Sequence, residues 1–191
     1  MKEDAPLVLD ANAFIQAHRR FYAFDFCPGY WQALKWHHKH SGVCSIDRVR
    51  EELERGEDKL FNWVKANLPK TFFASTSDLE IVSWYRKLAE WIQAEPQFLP
   101  RAAEEFASAA DGWLVAFAKA RGGIVVTLEQ FDPVIKKRVP IPNLCKSNRW
   151  LDHSTSPVGR ALNTASGQNV DRPKPPRRNR FPTGSNARPT G

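Results

Sequence analysis

Short apolar runs alternate along the first three quarters of the chain with longer stretches of helical periodicity. Pro6 to Leu9 (PLVL) reads as a strand ending at Asp10. Gly42, Val43 and Cys44 lead into a second, Lys70 to Ala74 (KTFFA) form a third, and Ile124 to Thr127 (IVVT) a fourth, entered through Gly122 and Gly123. Between them lie helices. Ser77 followed by Glu80 has capping-box spacing and opens a segment in which Ile81, Trp84, Tyr85, Leu88, Trp91 and Ile92 recur at helical intervals. From Glu104 to Arg121 the same period runs through Phe106, Ala110, Trp113, Leu114, Phe117 and Ala118, and Gly122 is a natural stop. Strands separated by helical stretches predict βαβ units, hence an α/β fold around a mostly parallel sheet, with sites at the C-terminal ends of its strands.

Beyond Cys145 this patterning ceases. Residues 146–191 hold 6 of the 14 prolines and 4 of the 10 glycines, with many Ser, Thr and Asn and no sustained apolar period. Such a segment buries too little surface to offset its ordering entropy, so we divide the chain into a folded body, 1–145, and a disordered tail, 146–191. The division also relocates the charge. The chain carries a formal +7, but the body has 19 basic and 19 acidic side chains while the tail has 9 basic against 2 acidic. The basic excess therefore says little about the body's partner.

No apolar run approaches the roughly 20 residues of a membrane span, and MKEDAP at the start lacks a signal-peptide core. A cytoplasmic protein without a membrane partner is expected. Cys27, Cys44 and Cys145 are odd in number and lack metal-type spacing, which supports neither a disulfide framework nor a zinc site.

Four acids draw attention by their placement. Asp10 closes the first strand in LVLDAN, Glu52 lies in RVREEL after the second, Asp111 in ASAADGWLVAFA, and Glu129 after the fourth in IVVTLE. Each stands in an apolar neighbourhood for an acid, and Asp111 shares a helical face with Leu114, Val115 and Ala118. Converging carboxylates repel one another and need a cation, and oxygen-only donors suit Mg²⁺ or Mn²⁺. On a phosphodiester, such an ion polarises the phosphoryl group and lowers the pKa of an attacking water. There is no GxSxG, HExxH, Walker or GxGxxG motif to suggest another chemistry.

In order and spacing, LVLDAN, VREEL, ADGWLVAFA and VVTLE resemble the four acidic motifs of the PIN domain family. The wider text, LDANAFIQAHRRFYAFDFCPGYWQAL, GVCSIDRVREELERGED and the closing IPNLC, is similar to a PIN-like subfamily of uncharacterised prokaryotic proteins regarded as candidate toxins of toxin–antitoxin modules; it extends from Leu7 to Cys145. The resemblance implies a three-layer fold around a parallel sheet and metal-dependent endoribonuclease activity on RNA. It also implies a cognate antitoxin as partner, with a homodimer as a further assembly. Carried over by position, the catalytic acids are Asp10, Glu52, Asp111 and Glu129, with Asp10, Asp111 and Glu129 as metal ligands and Glu52 acting directly or through water. Two departures stand out. Many PIN domains have Asp where this chain has Glu129, with Asp132 three residues on, and the subfamily's short strand-and-helix ending is not found after Cys145.

Each acid has a plainer reading: a turn or helix cap for Asp10, a solvated charged face for Glu52, a first-turn acid capped from Ser108 for Asp111, and a loop acid for Glu129. Asn12 is either a cap or a positioning residue. The aromatic run Phe21 to Trp31 is expected in core and lid packing, and His37, His38 and His40 on a solvated surface. Arg19, Arg20 and Lys136 to Arg138 form small basic patches that contact RNA phosphates or are plain surface. Two alternatives remain. One is a catalytically inactive PIN-like module that binds RNA or protein. The other is a phosphatase of the haloacid dehalogenase type, disfavoured because Asn12 stands where that chemistry wants a second Asp.

Overall fold

The computed structural model describes residues 5–146. Four strands, β1 (Leu7–Leu9), β2 (Val43–Ile46), β3 (Phe73–Ala74) and β4 (Ile124–Val126), form one parallel sheet in the order β3-β2-β1-β4. Adjacent residues of the central strands point to opposite faces, and both kinds are buried: Val8 and Leu9 in β1, Ser45 and Ile46 in β2. Burial on both faces is what parallel strands with helical crossovers require, and it gives the α/β architecture the alternating pattern predicts. Ser45, polar in this core, donates through Oγ to the Leu9 carbonyl at 2.6 Å.

Helix α1 (Ala11–Gln16) leaves β1 directly and runs on through a π-helical turn, Ala17–Phe21. Helix α2 (Pro28–His40) starts with proline at its first position, where a missing N–H costs nothing. Gly42, at φ 66°, turns the chain into β2. Helices α3 (Asp47–Arg55) and α4 (Lys59–Asn67) follow, then α5 (Leu79–Ala94), α6 (Pro100–Ser108) and α7 (Asp111–Arg121). Gly122 ends α7 in the left-handed region, φ 61°, as its place in the sequence predicts. A short α8 (Ile141–Lys146) closes the described chain, taking in Lys146, the first residue assigned above to the tail. The rest of the tail, 147–191, lies outside the described residues. No helix among those described is long and apolar enough to cross a membrane.

Three local expectations change. Asp78, not Ser77, caps α5, accepting the Glu80 amide at 2.8 Å while Ser77 bonds to Ser75. KTFFA is mostly a 3-10 turn, Lys70–Phe72, closed by the Phe72 amide on the Pro69 carbonyl, which leaves two residues for β3. The helix expected from Glu104 to Arg121 is two helices, because Ala109 adopts extended backbone (ψ 160°) after Ser108 turns its hydroxyl back to the Glu105 carbonyl. That break lets Asp111 begin a new helix.

The aromatic run packs largely as expected. Phe24, Trp31 and Trp63 interlock with centroids 4.7 to 5.5 Å apart, and the Trp31 indole donates to the Tyr22 carbonyl at 2.7 Å, although Phe26 stands out in solvent. The histidines of α2 do more than face water. His38 donates through Nδ1 to the Val43 carbonyl at 2.8 Å, tying α2 to β2.

Candidate active site

The chain leaves β1 to build β2 and β3 on one side and returns to place β4 on the other, so the order reverses at β1. In open α/β sheets that switch point opens a crevice at the strands' C-terminal ends. Asp10 and Thr127 stand there, one residue past β1 and β4, and the Asp10 amide bonds to the Val126 carbonyl at 3.0 Å. Asp10 takes the first helix-cap position of α1 but makes no side-chain capping bond; Thr127 Oγ1 instead donates to its Oδ2 at 2.9 Å. The Asp10 carboxylate thus turns to Thr127 rather than to the usual capping amides, although the Ala11 amide at the start of α1 also favours its ionised form.

Asp10 (1% exposed), Glu52 and Asp111 line one pocket of about 320 Å³, together with Asn12. The break before α7 supplies the pocket's far wall through Ser108, Ala109 and Ala110, and Ser108 does not cap Asp111. Gly112 is required beside it, since a Cβ there would lie 2.3 Å from Phe106 Cζ. The α3 face of the pocket carries Arg48, Glu51, Glu52 and Arg55.

Burial and mutual repulsion push these carboxyls above the ordinary carboxylate range. Asp10 is pushed up to about 6, chiefly by desolvation and further by Glu129 and Glu52, against the Thr127 hydrogen bond. Asp111 rises to about 8, again chiefly by desolvation and then by the charges of Asp10, Glu129 and Glu52, with Arg138 pulling it down. Glu52 reaches solvent at the pocket mouth, yet desolvation still raises it, opposed by Arg55. The four acids thus lie within electrostatic reach of one another.

Glu129 differs from the other three because it is not among the pocket-lining residues. Its Oε2 accepts the Ile141 amide at 2.8 Å and its Oε1 faces Arg138 Nη1 at 3.3 Å, while its own amide donates to Thr127 Oγ1. Asp132 lies further off: it accepts the Val134 amide and lines a separate cleft with Lys136 and Lys137. Among the described residues no three His, Cys, Asp or Glu side chains converge closely enough to hold a metal ion. The donor chemistry nevertheless fits a hard divalent cation, because the pocket gathers carboxylate oxygens whose joint ionisation is unfavourable without one. Cys27, Cys44 and Cys145 are free thiols.

Sequence reasoning singled out the acids but passed over Thr127, Arg48 and Arg55. The arginines had a signal, their spacing around Glu51 and Glu52. Thr127, the polar residue directly after an apolar strand, had a weaker one.

These features define a parallel α/β domain with an acidic pocket at the switch point of its sheet. The chain belongs to the family described as "Domain of unknown function (DUF4411)", whose model matches residues 7–151. A crystal structure of VapBC2 from Rickettsia felis bound to a DNA fragment from their promoter is similar at 15% identity, with a TM-score of 0.44, covering 64% of this chain and 86% of that one. No curated protein matches.

Proposed function

We propose that this protein is a metal-dependent endoribonuclease acting as the toxin of a toxin–antitoxin module. The observation that carries the reading is the meeting of Asp10, Glu52 and Asp111, from three separate segments, in one pocket where their charges cannot coexist unaided. Mg²⁺ or Mn²⁺, when bound, supplies the polarised phosphoryl oxygen and a water of lowered pKa. Asp10, Asp111 and Glu129 would hold the ion, with Thr127 fixing the rotamer of Asp10; Glu129 would first have to release Arg138, whose side chain is 59% exposed and readily solvated instead. Glu52, at the mouth, orients the attacking water or accepts its proton. The choice of RNA, and of an antitoxin that covers the pocket, rests on the resemblance to PIN-like toxins.

The test is to incubate purified protein with mixed RNA, with and without Mn²⁺, beside an Asp10→Ala Asp111→Ala variant. Metal-dependent cleavage confined to the wild type is expected. Cleavage that survives in the variant, or that ignores metal, refutes the site. RNA binding without cleavage points to the inactive module, a reading favoured by the engagement of both Glu129 oxygens.

A further inference from the structure

Helix α3 presents a charged stripe to the pocket: Arg48, Glu51, Glu52 and Arg55 stand at i, i+3, i+4 and i+7. That spacing offers Arg48–Glu52 and Glu51–Arg55 as ion pairs. Among the described residues, however, neither guanidinium has a carboxylate oxygen within 4.0 Å. An aromatic column draws Arg48 aside. Its guanidinium carbon lies 4.2 Å from the centroid of Trp113, two residues past Asp111. Tyr85 stacks on the same indole at 3.9 Å and 9°, anchored by its hydroxyl on the Ala107 carbonyl at 3.1 Å. Arg48 is thus braced at the pocket wall by contacts that leave its charge unneutralised, and a guanidinium fork so held keeps its donors for an incoming anion.

The need for such a group follows from the charge around it. The carboxylates of Asp10, Glu51 and Glu52 make the pocket unfavourable to phosphate, and Arg48 and Arg55 are the lining cations that oppose them. We infer that Arg48, positioned by Trp113, is a substrate-binding residue that grips a phosphodiester oxygen of a nucleic-acid strand drawn into this pocket. Planar bidentate donors suit phosphate better than an ammonium does. The inference rests on the nuclease reading for its substrate class, and its test is separable from that reading.

Full-length protein carrying Asp10→Asn and Asp111→Asn, so that cleavage does not interfere, is titrated into fluorescein-labelled oligouridylate by anisotropy. The tail's cations contribute equally to every variant. Adding Arg48→Ala is expected to weaken binding about tenfold and to lower the slope of log affinity against log salt by about one. Arg48→Lys should recover only part of the loss, Trp113→Leu should behave like Arg48→Ala, and Trp113→Phe should retain binding. Arg48 is exposed, so its variants stay folded even if Trp113→Leu does not. Unchanged affinity and salt slope in Arg48→Ala overturn the inference, including where the wild type cleaves RNA. Arg48-dependent binding by a wild type that never cleaves overturns the nuclease reading and leaves the phosphate contact standing.

Discussion

Replacing Asp111 by Asn should stabilise the metal-free protein in alkaline solution. In the fold this carboxyl titrates near 8 instead of 3.8. Between those values the folded state keeps a proton that the unfolded chain has released. The associated stability is therefore fully present below about pH 4 and is lost as pH climbs to 8. At about 1.4 kcal/mol per pH unit the full shift is on the order of 6 kcal/mol. Asp111 opens onto the pocket, where water screens it, so we take about half, roughly 3 kcal/mol. An asparagine of the same shape carries none of this pH dependence.

Thermal unfolding followed by circular dichroism in EDTA, at pH 5 and pH 8.5, reads the effect. At pH 5, little more than one pH unit into the titration range, Asp111→Asn should melt only about 2–3 °C higher than the wild type, and at pH 8.5 about 6–12 °C higher for a chain of this size. Asp10, titrating near 6, leaves a residual slope in both below about pH 6. Millimolar Mg²⁺ should then stabilise the wild type and leave the variant unmoved, since an ion that binds only the folded state raises its stability. A variant that is less stable than wild type at pH 8.5 without metal, or that keeps the wild-type pH slope, refutes the claim that Asp111 is a buried acid held short of ionisation.

Two further substitutions probe the scaffold. Gly112→Ala should destabilise by about 1–3 kcal/mol, because its methyl meets the buried Phe106 ring at 2.3 Å; a second change, Phe106→Leu, should restore part of the loss in a urea melt, and full stability of the single variant would show the contact relaxes freely. Glu129→Ala should lower stability by about 1–2 kcal/mol by orphaning the Ile141 amide, whereas Glu129→Gln keeps an acceptor there and should lose Mn²⁺ affinity with little change in melting; equal stability losses would assign Glu129 to structure alone.

The architecture was legible because it depends on period. Apolar runs at Leu7, Val43 and Ile124 and the helical spacing of Ile81 to Ile92 report burial, and burial is what sheet and helix faces share. Boundaries were less so, for reasons that lie in single side chains. Ser77 and Asp78 are both good caps, and which hydroxyl or carboxylate turns inward depends on neighbours such as Arg121, which pairs with Asp78 at 2.9 Å. The break at Ala109 carries no glycine or proline, so periodicity ran through it unmarked.

The site shows the same division more sharply. An acid's position after a strand can be read from the chain, and Asp10, Glu52 and Asp111 do meet in one pocket. What each oxygen is doing cannot, because it depends on which donors the fold brings from elsewhere. Thr127 links Asp10 to Glu129, accepting the Glu129 amide while donating to Asp10, across 117 residues of sequence from Asp10. Glu129 spends its oxygens on Arg138 and on the start of α8, so the fourth acid contributes charge to the pocket without entering it. If Glu129 serves as a metal ligand as proposed, its Oε1 must leave Arg138, and any movement inward pulls on the Oε2 bond to the Ile141 amide at the start of α8. Metal binding at this site should therefore be coupled to the order of the short C-terminal helix, whereas binding through Asp10 and Asp111 alone would leave α8 undisturbed.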